Sequence, residues 1–102
     1  MVTAERIRAE VGSWPGVATQ PGNFGATAFV VGKRELGHLH GDRTAHFAFP
    51  KRVATELREQ GRVGPHPVNP YSTKMAARAI EGDEDVAEVI ELMRLNYDRV
   101  VA

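Results

Sequence analysis

The last part of the chain shows the clearest hydrophobic periodicity. Apolar residues there recur three or four positions apart, which is the spacing of one helix face: Val86, Val89, Ile90, Met93, Tyr97 and Val100, with Leu92 and Leu95 widening the stripe. The segment Gly82-Asp83-Glu84-Asp85 offers an N-cap and places acids in the first turn, where they favour the helix dipole. The pattern predicts a helix that runs to about residue 99 and packs on a sheet.

Two shorter helices are predicted earlier in the chain. The first begins at Thr3, a plausible N-cap, and ends at Gly12. The second covers Lys51–Gln60, with Pro50 at the first helical position and Gly61 as the C-cap.

Between the helices, β-branched and aromatic residues alternate with turn signals, which is typical of strands. Four strands are predicted before the second helix: Val17–Gln20, Ala26–Val31, Arg34–His40 and Thr44–Phe49. After that helix, the segment Arg62–Val68 indicates an edge strand or a loop, and Thr73–Ile80 a final strand. Gly32-Lys33 is a predicted two-residue hairpin turn, because glycine accepts a positive φ. We therefore expect one α+β two-layer domain over residues 1–102, a mainly antiparallel meander packed by the C-terminal helix.

Composition excludes more functions than it identifies. The 102 residues are 42% hydrophobic and 25% charged, which is ordinary for a globular domain. Thirteen basic and thirteen acidic residues give zero formal net charge, which disfavours a nucleic-acid partner. The absence of cysteine excludes disulfides, thiolate metal sites and cysteine nucleophiles. Because the chain shows neither a long apolar run nor a signal-peptide core, we expect no membrane partner and a cytoplasmic location.

Charge is nevertheless unevenly distributed. Residues 33–78 hold nine basic and four acidic side chains, whereas residues 79–102 hold seven acidic and two basic ones. This pattern is expected for two solvated faces or for a homodimer that joins them. The alternative is an anion site on the basic segment.

The histidines are the candidate site. His38 and His40 are two positions apart on a predicted strand, so both rings point to one face of the sheet. A three-residue turn at Gly41–Arg43 places His46 opposite His38 on the next strand. Converging imidazoles are typical of first-row metal sites, so His38, His40 and His46 are candidate metal ligands. His66 becomes a fourth candidate if its proline-rich segment folds over the sheet.

Other interpretations of the histidines stay open at this point. They could be the polar face of a strand, or a hydrogen-bonding or pH-responsive pair. A register slip of one residue would move His46 to the opposite face. The strand is not expected to add an acidic residue on the same face. Nucleophilic catalysis has little support, because Ser13 and Ser72 lie outside any Gly-x-Ser-x-Gly elbow.

The stretch Gly32–Pro50 carries a more specific signal. Gly-His-Leu-His-Gly over residues 37–41 is followed by Phe-Pro-Lys-Arg over residues 49–52. The pattern continues with GPHPV at residues 64–68, EGDEDV at residues 81–86 and a final helix ending near Leu95-Asn96-Tyr97. Over nearly its whole length the chain resembles the small bacterial and archaeal luciferase family proteins, a domain also seen in some fungal proteins. Its element order is also similar to that of the MmcQ/YjbR-like fold.

These resemblances add expectations about the site. The luciferase family pattern has an acidic residue at the position of His46, so the resemblance points to His38, His40 and His66. The family name implies a light-producing oxidation, although the sequence shows no flavin site. The MmcQ/YjbR-like layout implies DNA binding, against which the zero net charge speaks.

Three hypotheses follow, in order of preference. The first is a ligand- or partner-binding domain without chemistry of its own, whose groove is lined by His38, His40, His66, Tyr71 and Arg52. The second is a metal-dependent or luciferase-like oxidative enzyme built on His38, His40 and His46. The third is a nucleic-acid-binding module of YjbR type that uses the basic middle segment. The sequence identifies no catalytic residue and no cofactor.

Overall fold

Helices and strands follow the hydrophobic pattern and the turn residues. The computed structural model describes residues 3–102, apart from the side chains of Thr3 and Asn23. This part of the chain forms helices α1 (Thr3–Gly12), α2 (Lys51–Glu59) and α3 (Asp83–Val101). Its strands are β1 (Val17–Pro21), β2 (Thr27–Val31), β3 (Arg34–His40), β4 (Thr44–Ala48), β5 (Gly64–Pro65) and β6 (Met75–Ala79). The predicted α+β fold and its element order are confirmed.

All the strands belong to one antiparallel sheet with the order β1-β2-β3-β4-β6-β5. Strand β6 pairs with β4 and lies within the predicted strand segment Thr73–Ile80. The short β5 lies at the edge of the sheet, next to β6. Gly32 forms the β2–β3 turn with a φ of 62°. The register across the β3–β4 turn pairs His38 with His46, as predicted. That register decides which side chains share the site face.

Helix α3 supplies much of the core. It contacts β2, β3 and β6 and packs against α1. The predicted stripe is buried at Val86, Val89, Leu92, Met93 and Tyr97. Of the two residues that we expected to widen it, Leu92 is fully buried, whereas Leu95 is 41% exposed. Of the described helices, none combines the length and apolar character that a bilayer crossing requires.

The helix starts differ from the prediction in detail. Pro50 is the N-cap of α2 and not its first helical residue, because its ψ of 145° is extended. At α3 the N-cap is Gly82, and the carboxylate of Asp85 in the first turn accepts the backbone N–H of Glu81 at 2.8 Å. The predicted N-cap side chain of Thr3 lies outside the part of the chain that the structure describes.

Part of the uneven charge is neutralised within the chain. Arg78 pairs with Asp85 at 2.6 Å, and Arg62 pairs with Glu88 on α3. The hydrogen bond from the Glu81 backbone N–H, followed by that from the Arg78 guanidinium, holds the pKa of Asp85 below its usual value. The basic middle segment and the acidic helix therefore attract each other across the β6–α3 side of the domain.

A bulge in β3 controls which residues face the core. Phe29 of β2 pairs with Gly37 and the next residue, Val30, pairs with Glu35, so Leu36 is the additional residue. Leu36 is fully buried in the core, and Gly37 lies against core side chains. Leu36 and Gly37 thus both face the core, and Glu35 lies on the face of the sheet that carries His38.

The Asn96 side chain of α3 joins β3 to β4 beyond the His38–His46 pair. Its amide donates to the carbonyl oxygens of Leu36 and Ala48 at 2.9 and 3.0 Å.

We expect Gly37→Ala to destabilise the protein by roughly 1–3 kcal/mol, the usual result of overpacking. An added Cβ would lie 2.9 Å from Phe47 Cδ1 and 3.0 Å from both the His46 carbonyl oxygen and Met93 Cε. Urea unfolding measures the loss. Gly12→Ala is the matched control, since a Cβ at Gly12 meets no atom of the described residues within 4 Å. An equal effect of both substitutions would contradict the close approach at Gly37.

Candidate functional site

Four histidine rings form a cluster on the face of the sheet opposite α3. His38 and His40 come from β3, and His46 comes from β4. The ring centroids of His38 and His46 are 5.1 Å apart, those of His40 and His46 are 4.4 Å apart, and those of His38 and His40 are 4.9 Å apart. His66 follows β5 and lies 4.4 Å from His46. The proline-rich segment therefore does fold over the sheet.

The three sheet histidines have the arrangement of a metal-ligand set. One nitrogen from each of His38, His40 and His46 lies within 4.8 Å of the other two. The strand alternation places His38 and His40 on one face, and the three-residue turn brings His46 opposite His38. A neutral imidazole offers a lone pair that coordinates zinc and related ions.

His46 is the most unusual residue of the cluster. It is 5% exposed, and its Nδ1 and Nε2 have no hydrogen-bond partner among the described residues. Burial, followed by the neighbouring histidines, lowers the pKa of His46 from 6.5 to about 4. Buried polar atoms are nearly always paired, and the neutral His46 ring keeps one nitrogen lone pair that is free to bind a cation.

Burial also lowers the pKa of His40 and of His66, with a further contribution from the His38 ring to each. Near neutral pH the rings of His40, His46 and His66 are therefore neutral. Metal ions bind neutral imidazole and compete with protons for it. These neutral rings do not repel a cation, and their lone pairs can bind one.

Glu35 supports His38 from the side. Its Oε2 accepts a hydrogen bond from His38 Nδ1 at 2.8 Å, which leaves Nε2 as the lone-pair nitrogen. A carboxylate that orients a histidine in this way is common around metal sites. The expectation that no acidic residue shares this face was wrong, because the bulge at Leu36 inverts the alternation. An isolated glycine in a strand pattern, here Gly37, is the sequence signal that could have indicated the bulge.

His66 is held differently from the other three rings. Its Nδ1 accepts the backbone N–H groups of Val68 and Asn69, each at 3.2 Å. The residue is 7% exposed. Because both partners are donors, Nδ1 carries no proton.

A cavity of about 460 Å³ opens beside the histidines. Its lining combines the four rings, Glu35 and Gln20 with apolar residues: Gln20, Pro21, Gly22, Phe24, Ala28, Val30, Glu35, His38, His40, His46, His66 and Val68. Phe24 is 97% exposed and Val68 is 85% exposed, so two large apolar side chains stand at the rim. The cavity has room for a small organic molecule next to the imidazoles.

Two of the predicted groove residues lie elsewhere. Tyr71 is 95% exposed in the loop before β6, and Arg52 is an exposed residue of the first turn of α2. Neither is among the described residues that line the histidine cavity. The structure thus brings together His38, His40, His46 and His66, without Tyr71 and Arg52.

The family comparison covers the part of the chain that contains the histidine cluster. Neither the curated proteins nor the solved structures contain a match to the chain. A family model described as Luciferase domain matches residues 33–96, which include the four histidines, Glu35 and most of α3. Since the match covers more than half of the sequence, the chain belongs to the luciferase-domain family.

Proposed function

We propose that the protein binds one divalent first-row transition ion through His38, His40 and His46, and that this ion binds a small ligand in the adjacent cavity. The observation that carries the proposal is His46, which is buried beside two further histidines and whose ring nitrogens have no hydrogen-bond partner in the described part of the chain. A metal ion would give that ring the partner it lacks. Neutral rings and the absence of cysteine favour Zn²⁺, Co²⁺ or Ni²⁺ over softer ions.

The spacing of the nitrogens is compatible with such an ion after small ring rotations. Zinc–nitrogen distances of about 2.0–2.1 Å set tetrahedral ligand nitrogens about 3.4 Å apart. The three nitrogens already lie within 4.8 Å of one another. Three protein ligands with one open position characterise catalytic rather than structural zinc sites, and the cavity lined by the same rings supplies room for that position.

The test is Co²⁺ binding to chelator-stripped protein, followed by equilibrium dialysis and visible absorption. We expect one Co²⁺ per chain. Removal of an outer-shell partner usually weakens metal binding about 10–100-fold, and we expect that loss in Glu35→Gln. His38→Ala, His40→Ala and His46→Ala should each lose more, because each removes a ligand.

Arg52→Ala and Tyr71→Ala are the matched controls. Both residues belong to the predicted groove and neither lines the cavity, so both variants should bind Co²⁺ like the wild type. Wild-type protein without a Co²⁺ site would overturn the proposal. Equal binding by His46→Ala and wild type would do the same.

The other hypotheses make separate predictions. A luciferase-like oxidation would use the same histidines, so metal occupancy is its first requirement as well. A metal-independent groove would bind its ligand equally well in the presence and in the absence of a chelator. Nucleic-acid binding has less support, because Arg62 and Arg78 are paired with acidic side chains. A homodimer would show as a doubled mass in light scattering.

A further inference from the structure

We infer that His66 is not a metal ligand but a hydrogen-bond donor that positions an oxyanion, such as a carboxylate, on the ion at the open coordination position. This inference rests on the proposed metal site and assigns its ligand class. The other three histidines differ from His66 in one respect. His38 Nδ1 is paired with the Glu35 carboxylate, and the His46 nitrogens have no hydrogen-bond partner among the described residues. By contrast, His66 Nδ1 already accepts two backbone N–H groups.

The loop determines the tautomer of His66. A nitrogen that accepts the N–H groups of Val68 and Asn69 has no proton, so the ring proton of the neutral imidazole is on Nε2. A proton on Nδ1 would point at the N–H groups of Val68 and Asn69, and both hydrogen bonds would be lost. A protonated Nε2 cannot coordinate a metal, but it can donate. His66 therefore offers a single directed donor.

The position of the His66 ring indicates which group its Nε2–H can donate to. Its ring centroid is 4.4 Å from that of His46, and it lines the same cavity as the three candidate ligands. His66 is absent from the group of three whose nitrogens lie within 4.8 Å of one another. The donor thus stands next to the ion and outside its ligand set, where a group bound to the ion would be within reach.

The surroundings select an anion with an apolar body. A donor beside a cation stabilises a ligand that is negative and accepts hydrogen bonds. Glu35, whose carboxylate is paired with His38, and Gln20 also line the cavity; the rest of the wall includes Ala28 and Val30, with Phe24 and Val68 at the rim. A carboxylate with a short hydrocarbon chain satisfies both parts, and acetate and hexanoate are suitable probes.

The test uses His66→Asn, since asparagine at this position can keep the loop. Its side-chain oxygen accepts backbone N–H groups two and three residues ahead, as His66 Nδ1 does, but the Nε2–H donor is lost. His66→Ala removes both functions. We expect His66→Asn to unfold at a temperature close to that of wild type and His66→Ala to unfold earlier.

Acetate and hexanoate are titrated into Co²⁺-loaded protein and followed by visible absorption. Wild type should bind hexanoate more tightly than acetate. His66→Asn should bind Co²⁺ unchanged but both carboxylates roughly 10–100-fold more weakly, the usual effect of losing a hydrogen bond to a charged group. In metal-free protein, ¹⁵N NMR should show a proton on Nε2 of His66 and none on Nδ1.

The outcomes separate the two proposals. Unchanged carboxylate affinity in His66→Asn, or a proton on Nδ1, would overturn the role of His66 and leave the metal site. Loss of Co²⁺ binding in His66→Asn would make His66 a ligand and overturn its role as donor. Wild type without Co²⁺ binding would overturn both proposals.

Discussion

Acidification of the metal-free protein from pH 6.5 to pH 4 is expected to remove about 3 kcal/mol of its unfolding free energy through His46. The ring is 5% exposed and has no hydrogen-bond partner among the described residues. A charge there would be desolvated and would also face the rings of His40, His66 and His38. Glu35, the acidic residue of the cavity, pairs with His38 and not with His46.

The sign of the effect follows from the two pKa values. The unfolded chain binds a proton on His46 near pH 6.5, whereas the folded protein binds it only near pH 4. Between these values the unfolded state holds more protons, so stability falls as the pH falls. The full contribution is present above pH 6.5 and is lost below about pH 4. His40 and His66 act in the same direction, because their pKa values are also lowered.

The control variant is His46→Leu, which removes the titrating group and both unpartnered nitrogens. Urea unfolding at several pH values should give a flatter profile for this variant between pH 6.5 and pH 4. At neutral pH it should be at least as stable as metal-free wild type, because a buried polar group without partners costs stability. The contribution of Asp85 to stability is lost in more acidic solution, because the pKa of its carboxyl is lowered from 3.8. Parallel profiles for both proteins would contradict the prediction.

The sequence was sufficient for the fold because most local signals are independent of distant contacts. Strand β3 has the predicted bounds, and the glycine turns give the β2–β3 and β3–β4 connections. The pairing of His38 with His46 could be predicted because turn length fixes hairpin register. The predictions for Leu95 and Pro50 were each wrong at one position on a helix. The exposure of Leu95 and the exact start of α2 at Pro50 depend on how the whole helix packs.

The site was only partly predictable, and the reason is geometric. The convergence of His38, His40 and His46 follows from period and register. The contribution of Glu35 depends on a bulge that reverses alternation over a single residue, and that irregularity is visible only once β2 and β3 are paired. The tautomer of His66 depends on two backbone donors in its own loop. Tyr71 lies in a loop and Arg52 in the first turn of α2, outside the strands whose register can be predicted, so the sequence did not determine how far they lie from the histidines.

Addition of Zn²⁺, Co²⁺ or Ni²⁺ to chelator-stripped protein at neutral pH is expected to raise the unfolding temperature by roughly 10–20 °C. A ligand that binds only the folded state at 100 times its dissociation constant contributes about 2.7 kcal/mol. The unfolded chain has the same histidines but does not bring them together, so it competes weakly. Differential scanning fluorimetry at several metal concentrations measures the shift, and excess chelator should reverse it.

The variants decide whether the shift comes from the histidine cluster. His46→Leu should abolish it, because the variant lacks one of the three candidate ligands while keeping a buried side chain of similar size. His66→Asn should keep it, because the backbone donors occupy the His66 nitrogen that lacks a proton. Mg²⁺ should have no effect, since it prefers oxygen ligands. A full shift in His46→Leu would place the ion elsewhere on the protein. A shift missing from wild type with all three metals would mean that the cluster serves as a cavity wall and not as a metal centre.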